Sequence, residues 1–321
     1  MIWRTVLALA SGSTGSAKLS ILMFHRVLPE QDPVFPGDPF AAQFESVVRH
    51  VAARFRVLPL LEAVRRLRQG SLPARSLAIT FDDGYADNLT IAGPILRRHG
   101  LPATVFVTTG FLDGGCMWND MVIQAFRHAA PPVLDLGSLG LGTLDIRTPE
   151  RRRHSIQSVL DRIKYLDRDE RARCTRRILD LANVPAPDGV MLDRDAVRAL
   201  RDIGMDVGAH TVSHPILARL DPQEARREIV ESKQELEALT GTPVRLFAYP
   251  NGRPGRDYGP EHVRIVQEAG FEAAVTTATG AADRSSDPYQ LPRFTPWNKQ
   301  PFKFDVAMVR NLYQRAERCA A

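Results

Sequence analysis

Two short stretches hold the residue types that can do chemistry. In SLAITFDDGYADN (76–88) an apolar run, Leu77 to Phe81, delivers two adjacent carboxylates, Asp82 and Asp83, into Gly84. In MDVGAHTVSHP (205–215) a second strand-like run ends at His210, with His214 four residues on. Asp-Gly is common turn chemistry, and a lone histidine is as a rule structural. Two imidazoles spaced to face one point, directly after a strand, read differently. With one carboxylate they make the three-protein-ligand set of a catalytic zinc site, whose fourth position is left for water. Asp83 can be that carboxylate. Successive side chains of a strand point to opposite sides, so Asp82 reaches past the metal position and can take a proton from the attacking water. A divalent cation there also removes the repulsion that otherwise favours protonating one of two adjacent acids.

The elements that must position these residues follow from the pattern of apolar runs. Strands are predicted at 19–24, 76–81, 103–107, 205–209, 245–249, 272–277 and 290–294, with helices near 40–54, 59–69, 88–99, 193–203, 222–240 and 259–269. Such alternation implies βαβ units and a parallel sheet. The strands are mostly apolar, as expected when both faces are covered. About seven units close into a barrel more readily than they lie flat. The helix at 222–240 is well marked: Asp221 can cap it, Pro222 takes its first position, Glu224 completes a capping box and Gly241 follows. From Gly110 to about Asp193 the rhythm breaks. A Gly/Leu-rich passage, LDLGSLGLGTLD, precedes basic helical sequence, without clear strands. The expectation is a distorted (β/α) barrel over 19–300 with a mainly helical insertion at 111–192, an N-terminal arm (1–18) and a C-terminal helix (301–321). His25, Asp82, Asp83, His210, Asn251 and Arg293 all fall at C-terminal ends of predicted strands, the face that carries active sites in (β/α) barrels.

Composition narrows the class. At 321 residues, with 44% hydrophobic and 25% charged residues, the chain can bury a large core. Its three cysteines, Cys116, Cys174 and Cys319, lie far apart without a CxxC, which fits neither a disulfide framework nor a cysteine metal site. The net charge of +5 is local: residues 147–177 hold eleven Lys/Arg against five Asp/Glu. That segment reads as a solvated helix pair, or as a peripheral contact with anionic membrane or lipid-linked glycan. No aromatic interleaving or binding motif accompanies the charge, so nucleic acid is not expected as a partner. The apolar core of the N-terminus, Thr5 to Ala10, is shorter than a secretory h-region. No stretch approaches the roughly 18 apolar residues of a membrane span, and a cytoplasmic protein is expected. The lack of Gly-x-Ser-x-Gly argues against a serine hydrolase. DDGYADN fails as a calcium loop because Tyr85 stands where an oxygen ligand is needed.

TFDDGY, HTVSH and FAYPNG, in that order, resemble the polysaccharide deacetylases of carbohydrate esterase family four, the NodB-homology fold. ILMFHRV and YQLPRF are similar to an exopolysaccharide-type branch, and the resemblance spans about Leu19 to Arg293. It implies a distorted (β/α) barrel, a divalent metal, usually zinc, and removal of N-acetyl groups from an amino-sugar polymer or oligosaccharide. Residue by residue it implies Asp82 as general base and Asp83, His210 and His214 as metal ligands. Pro250-Asn251 stands where the family has Pro followed by Tyr, whose backbone N–H helps to hold the oxyanion. The family's Arg before that motif is missing; Phe247, Ala248 and Tyr249 occupy those positions. Arg293 either supplies the cation that keeps Asp82 ionised or is a surface arginine. The family's C-terminal Leu-x-His acid is also missing, since no histidine follows His262. His25, in the HRV element, either protonates the departing amine or buttresses the barrel rim. On the substrate side stand Tyr85, Tyr249 and Pro250. Trp118 and Trp297, each followed by an Asn, either stack on sugar rings or pack in the core. Two further readings stay open, a non-catalytic glycan-binding protein on the same fold and a small-molecule amidohydrolase.

Overall fold

The computed structural model describes residues 2–319 apart from 14, 131 and 296–299. The chain forms two compact units, one of residues 1–30, 39–112 and 192–321, the other of 31–38 and 113–191. The first opens with α1 (Ile2–Ala10), β1 (Ser20–Phe24), α2 (Ala41–Arg54), β2 (Arg56–Val57), α3 (Leu60–Gln69) and β3 (Ser76–Phe81). A π-turn at Asn88–Ala92 leads into α4 (Gly93–Arg98), and β4 (Ala103–Val107) follows. The second unit holds α5 (Trp118–His128), a hairpin of β5 (Val133–Leu136) and β6 (Gly142–Asp145), then α6 (Pro149–Ile163) and α7 (Arg168–Ala182). The first unit resumes with α8 (Arg194–Asp202), β7 (Met205–Ala209), α9 (Pro222–Thr240) and β8 (Leu246–Ala248). It ends with α10 (Pro260–Glu268), β9 (Ala273–Thr279), β10 (Leu291–Arg293) and α11 (Pro301–Tyr313).

The sheet runs β1-β3-β4-β7-β8-β9-β10 with β2 beside β3, and its pairings are parallel. Phe294 brings its two ends together: its carbonyl accepts Met23 N–H at 3.0 Å and its N–H donates to Ile21 O at 2.7 Å. The result is the nearly closed, distorted (β/α) barrel expected. Along β3 and β4, alternate residues enter two different hydrophobic clusters: Leu77, Ile79, Phe81, Val105 and Val107 join one, Ala78 and Phe106 the other. Both sheet faces are therefore covered, which is why these strands read as continuous apolar runs. Gly208 makes room for one of those layers, since a Cβ there would lie 2.5 Å from the Phe106 ring. The Asp221 cap, Pro222 and the Gly241 stop of α9 act as read. The Asp221 carboxylate accepts the N–H of Gln223 and Glu224, and Gly241 takes a left-handed φ of 66°.

The second unit corrects the expectation of an insertion without strands. Within the Gly/Leu-rich passage, Leu134 and Leu136 are buried while Val133 and Asp135 are exposed, the period of a one-sided strand. Glycines at 140 and 142, both at positive φ, make the turn and dilute that signal. The basic segment 147–177 is the helix pair α6–α7, and several of its arginines are engaged within their own unit. Arg152 donates to the carbonyls of Phe126, Arg127 and Ala129, Arg162 to Leu141 O, and Arg147 and Arg151 pair with Asp145. No helix among the described residues is long and apolar enough to cross a membrane.

Candidate metal centre

Strand β3 runs directly into Asp82 and Asp83, and β7 into His210, whose N–H is held by Val107 O at 3.0 Å. Asp83 Oδ1 lies 3.4 Å from His210 Nε2 and 3.4 Å from His214 Nε2. One ligand-type atom from each of the three residues lies within 4.8 Å of the other two. His210 Nδ1 sits 2.7 Å from Ala248 O. A carbonyl can only accept, so Nδ1 carries a proton and Nε2 is the nitrogen left to face Asp83. Asp83 Oδ1 is buried and makes no hydrogen bond. An orphaned carboxylate oxygen opposite imidazole nitrogens is costly without a cation, and this donor set fits a divalent metal ion.

The electrostatics of Asp83 and His214 agree with that fit. Burial alone would raise the Asp83 carboxyl, but His210, His214 and His25 bring it well below the usual carboxylate range. Burial pushes His214 down to about 4, against the pull of Asp83, so its imidazole is neutral at physiological pH and free to act as a ligand. His210 is raised: burial works against its charged form, and the Asp83 and Asp82 carboxylates outweigh it.

The backbone here is held in uncommon conformations. Asp83 (φ 75°), Thr211 (65°), His214 (56°) and Asn251 (58°) are four of the six non-glycine residues at positive φ among those described. Such φ values are sparsely populated and persist where surrounding contacts over-determine them. Glu228 of α9 supplies much of that determination. Its buried carboxylate accepts Val212 N–H at 2.9 Å, Ser213 N–H at 2.8 Å and Ser213 Oγ–H at 2.5 Å. Thr211 Oγ1 accepts His214 N–H at 3.1 Å, and Gly110 N–H donates to Val212 O at 2.7 Å. Sequence reasoning missed Glu228. Its signal was a charge within the buried stripe Ala225, Ile229, Ser232 and Leu236.

Asp82 has a separate partner. Arg293 donates from Nη1 to Oδ1 and from Nη2 to Oδ2, each at 2.6 Å, with both residues buried. The same guanidinium reaches Thr276 O from Nε at 2.8 Å and Thr80 Oγ1 at 3.2 Å. Arg293 is therefore an interior cation and not a surface arginine. Burial would raise the Asp82 carboxyl, and the Arg293 charge and hydrogen bonds bring it below its ordinary value.

His25 is exposed just past β1, close enough for its charge to bear on Asp82, Asp83 and His214. The segment that carries it is clamped. Asn88 Nδ2 donates to His25 O at 2.8 Å, and Asp87 accepts Arg26 Nε–H at 2.8 Å and Val27 N–H at 2.9 Å. Asn251 lies at the same barrel end, three residues beyond the Ala248 carbonyl that orients His210, with its own carbonyl held by Thr277 Oγ1 at 2.7 Å.

Three of the residues expected on the substrate side are buried. Tyr249 is fully buried, its ring stacked 3.9 Å from that of Tyr258, and Pro250 is buried beside it. Tyr85 is buried beneath the Arg26 guanidinium, 4.7 Å from its ring centre. Tyr249 and Tyr85 thus pack against side chains of their own unit. Trp118 belongs to the second unit, half-buried with the Arg171 guanidinium 5.0 Å from its ring centre. Trp297 lies outside the described residues.

Comparison with known proteins gives a consistent picture. The family model for polysaccharide deacetylases matches residues 69–274, a span that includes Asp82, Asp83, His210, His214 and Asn251. YxkH of Bacillus subtilis, a polysaccharide deacetylase by name, is 23% identical over 278 residues, covering 86% of this chain and 71% of its own. The Streptococcus pyogenes deacetylase PplD, solved in complex with acetate, superposes with a TM-score of 0.62 at 19% identity, over 93% of this chain and 100% of PplD. IcaB from Ammonifex degensii gives 0.59 at 16%, over 92% and 97%. At these identities the structural likeness speaks to the fold. The family match spans most of the chain and includes both the Asp-Asp and His-x-x-x-His motifs, and the chain belongs to the polysaccharide deacetylase family.

Proposed function

We propose that the protein is a metal-dependent deacetylase that hydrolyses the N-acetyl group of an amino sugar in a polysaccharide or oligosaccharide, releasing acetate and a free amine. The observation that carries this reading is the orphaned Asp83 Oδ1 facing two imidazole nitrogens, beside a second carboxylate, Asp82, that is separately held ionised. Asp83, His210 and His214 would hold a divalent cation, zinc by the character of the nitrogen and oxygen donors, and its charge would acidify water towards neutral pH and polarise the acetyl carbonyl.

The remaining steps belong to the chain. Asp82 takes the proton of the attacking water. Its pairing with Arg293 lowers its basicity but keeps it an acceptor throughout the neutral range. The backbone N–H of Asn251 donates to the carbonyl oxygen as charge develops there; a main-chain donor is indifferent to Asn standing where relatives carry Tyr. The C–N bond then breaks. Because an amide anion is a very poor leaving group, the nitrogen needs a proton, and His25 gives it. Exposure lets His25 recover that proton from solvent. The HRV and LPRF elements favour an exopolysaccharide as the polymer, and a lipid-linked glycan is within the same chemistry.

The test is acetate release from N-acetylglucosamine oligosaccharides by the metal-loaded protein. Asp82→Asn is expected to lower the rate by about 10²–10⁴-fold while elemental analysis finds its metal content unchanged. A wild type that binds such oligosaccharides yet releases no acetate with zinc, cobalt or manganese would make it a glycan-binding protein instead. Turnover confined to small amides would make it a small-molecule amidohydrolase.

A further inference from the structure

Five of the seven large apolar side chains left exposed among the described residues lie on two helices that pack on each other: Val6 and Leu9 on α1, and Phe302, Val306 and Tyr313 on α11. Leu9 is 78% exposed, Phe302 65% and Tyr313 68%. Trp3 joins the two stripes, its ring meeting that of Phe302 edge-on at 5.4 Å. The spacing of 302, 306 and 313 sets those residues on one face. Both helices also bury apolar side chains inward, Leu7 on α1 and Phe304, Met308 and Leu312 on α11. A helix that needed only to cover the barrel would be polar on its outer side. These two are apolar on both sides, so the outer stripe awaits a second surface.

The flanking charge says which surface. Arg4, Lys303, Arg310, Arg315 and Arg318 are exposed on or just beyond these helices, against a single exposed acid, Glu317. Asp305 does not offset them at the surface, because it is buried and paired with Arg54 and His50. An apolar ridge flanked by cations suits a flat anionic interface, into which Trp, Phe and Leu side chains dip while Lys and Arg stay among the headgroups. A second copy of the chain suits it poorly, since a two-fold contact would set the same cations against each other.

We propose that the outer face of α1 and α11 docks the protein on an anionic lipid membrane, with Leu9, Phe302 and Tyr313 as the inserting side chains. This face differs from the basic α6–α7 segment, several of whose arginines are taken up within their own unit. It is independent of the deacetylase reading.

The experiment is co-sedimentation of the full chain with vesicles of phosphatidylcholine containing about 30% phosphatidylglycerol, beside vesicles of phosphatidylcholine alone. Partitioning onto the anionic vesicles is expected, at least about tenfold weaker on the neutral ones and in about 0.5 M salt. The double variant Leu9→Glu/Phe302→Glu changes two solvent-facing positions. It should keep its melting temperature and bind anionic vesicles at least about tenfold more weakly. No sedimentation of wild type with anionic vesicles, or equal binding by the double variant, would overturn the proposal. So would sedimentation velocity showing a wild-type dimer that the double variant converts to monomer, which would make the occupant a second copy.

Discussion

Arg293 donates to three different partners from a site without solvent: both oxygens of Asp82, Thr276 O and Thr80 Oγ1. Arg293→Leu leaves Asp82 buried and unpaired, and urea denaturation at pH 7 should show a loss of about 3–5 kcal/mol. Arg293→Lys keeps the charge but cannot make two parallel bonds, so it should recover only part of that loss. The pH dependence follows from the sign of the shift. The folded-state pKa of Asp82 lies below its ordinary 3.8, so the pair stabilises the protein above that pH and the contribution fades as pH falls through the folded value. The gap between wild type and Arg293→Leu should therefore narrow on acidification; a gap that is constant from pH 7 to pH 3 contradicts the pairing. Glu228 makes a complementary case. It touches no reacting atom, yet its carboxylate holds three donors of the 212–213 backbone and side chain between the two histidines. Glu228→Ala should weaken zinc binding about 10–100-fold by titration calorimetry, as partners that orient ligands generally do. A melting temperature that drops while zinc affinity holds would leave Glu228 a purely structural residue.

At the scale of elements, the site depends on how closely the turn after β4 approaches the turn after β7. A Cβ on Gly110 would stand 2.6 Å from Val212 O, a backbone atom that can yield only by moving the 211–214 turn. Gly110→Ala should accordingly lower zinc affinity while far-UV circular dichroism remains that of the wild type. The elements differ in how far their sequences announce them. β3, β4 and β7 were readable because short apolar runs bounded by turn residues leave few alternatives. α9 was readable because Asp221, Pro222 and Gly241 mark both its ends. β2, two residues long, is too short to show any period. The β5–β6 hairpin was hidden because its glycines interrupt the alternation that its leucines begin. The segment 31–38 joins the second unit although it lies about eighty residues earlier in the chain, and no local pattern can report such a contact.

For the whole molecule, barrel closure and the site are one event. The family-matched span, 69–274, lacks β1, β10 and most of β9, and with them His25, Arg293 and the Phe294 bonds that join the sheet ends. Expressed alone it would bare the edges of β3 and β8. Size exclusion should find aggregate, and dialysis should find no stoichiometric zinc; a monomeric, zinc-binding fragment would contradict this account. The cysteines fit a fold held by its core. Cys116 is buried, and burial, with the charge of Asp120 added, pushes its thiol up to about 12. It should resist Ellman's reagent at pH 8 in the native protein and react once urea unfolds it.

By itself the sequence determined the alternation of strand and helix, the barrel that follows from it, and the Asp83, His210 and His214 set. All of these rest on spacings within a few residues of a strand end, where local geometry dictates direction. Only the tertiary structure decided that Arg293 is the buried partner of Asp82 across 211 residues of chain, that Glu228 braces the histidine turn, and that Tyr85 and Tyr249 face the interior. The reason is physical. Burial and long-range pairing are sums over strands brought together by barrel closure, and a residue type with its immediate neighbours holds no term of that sum.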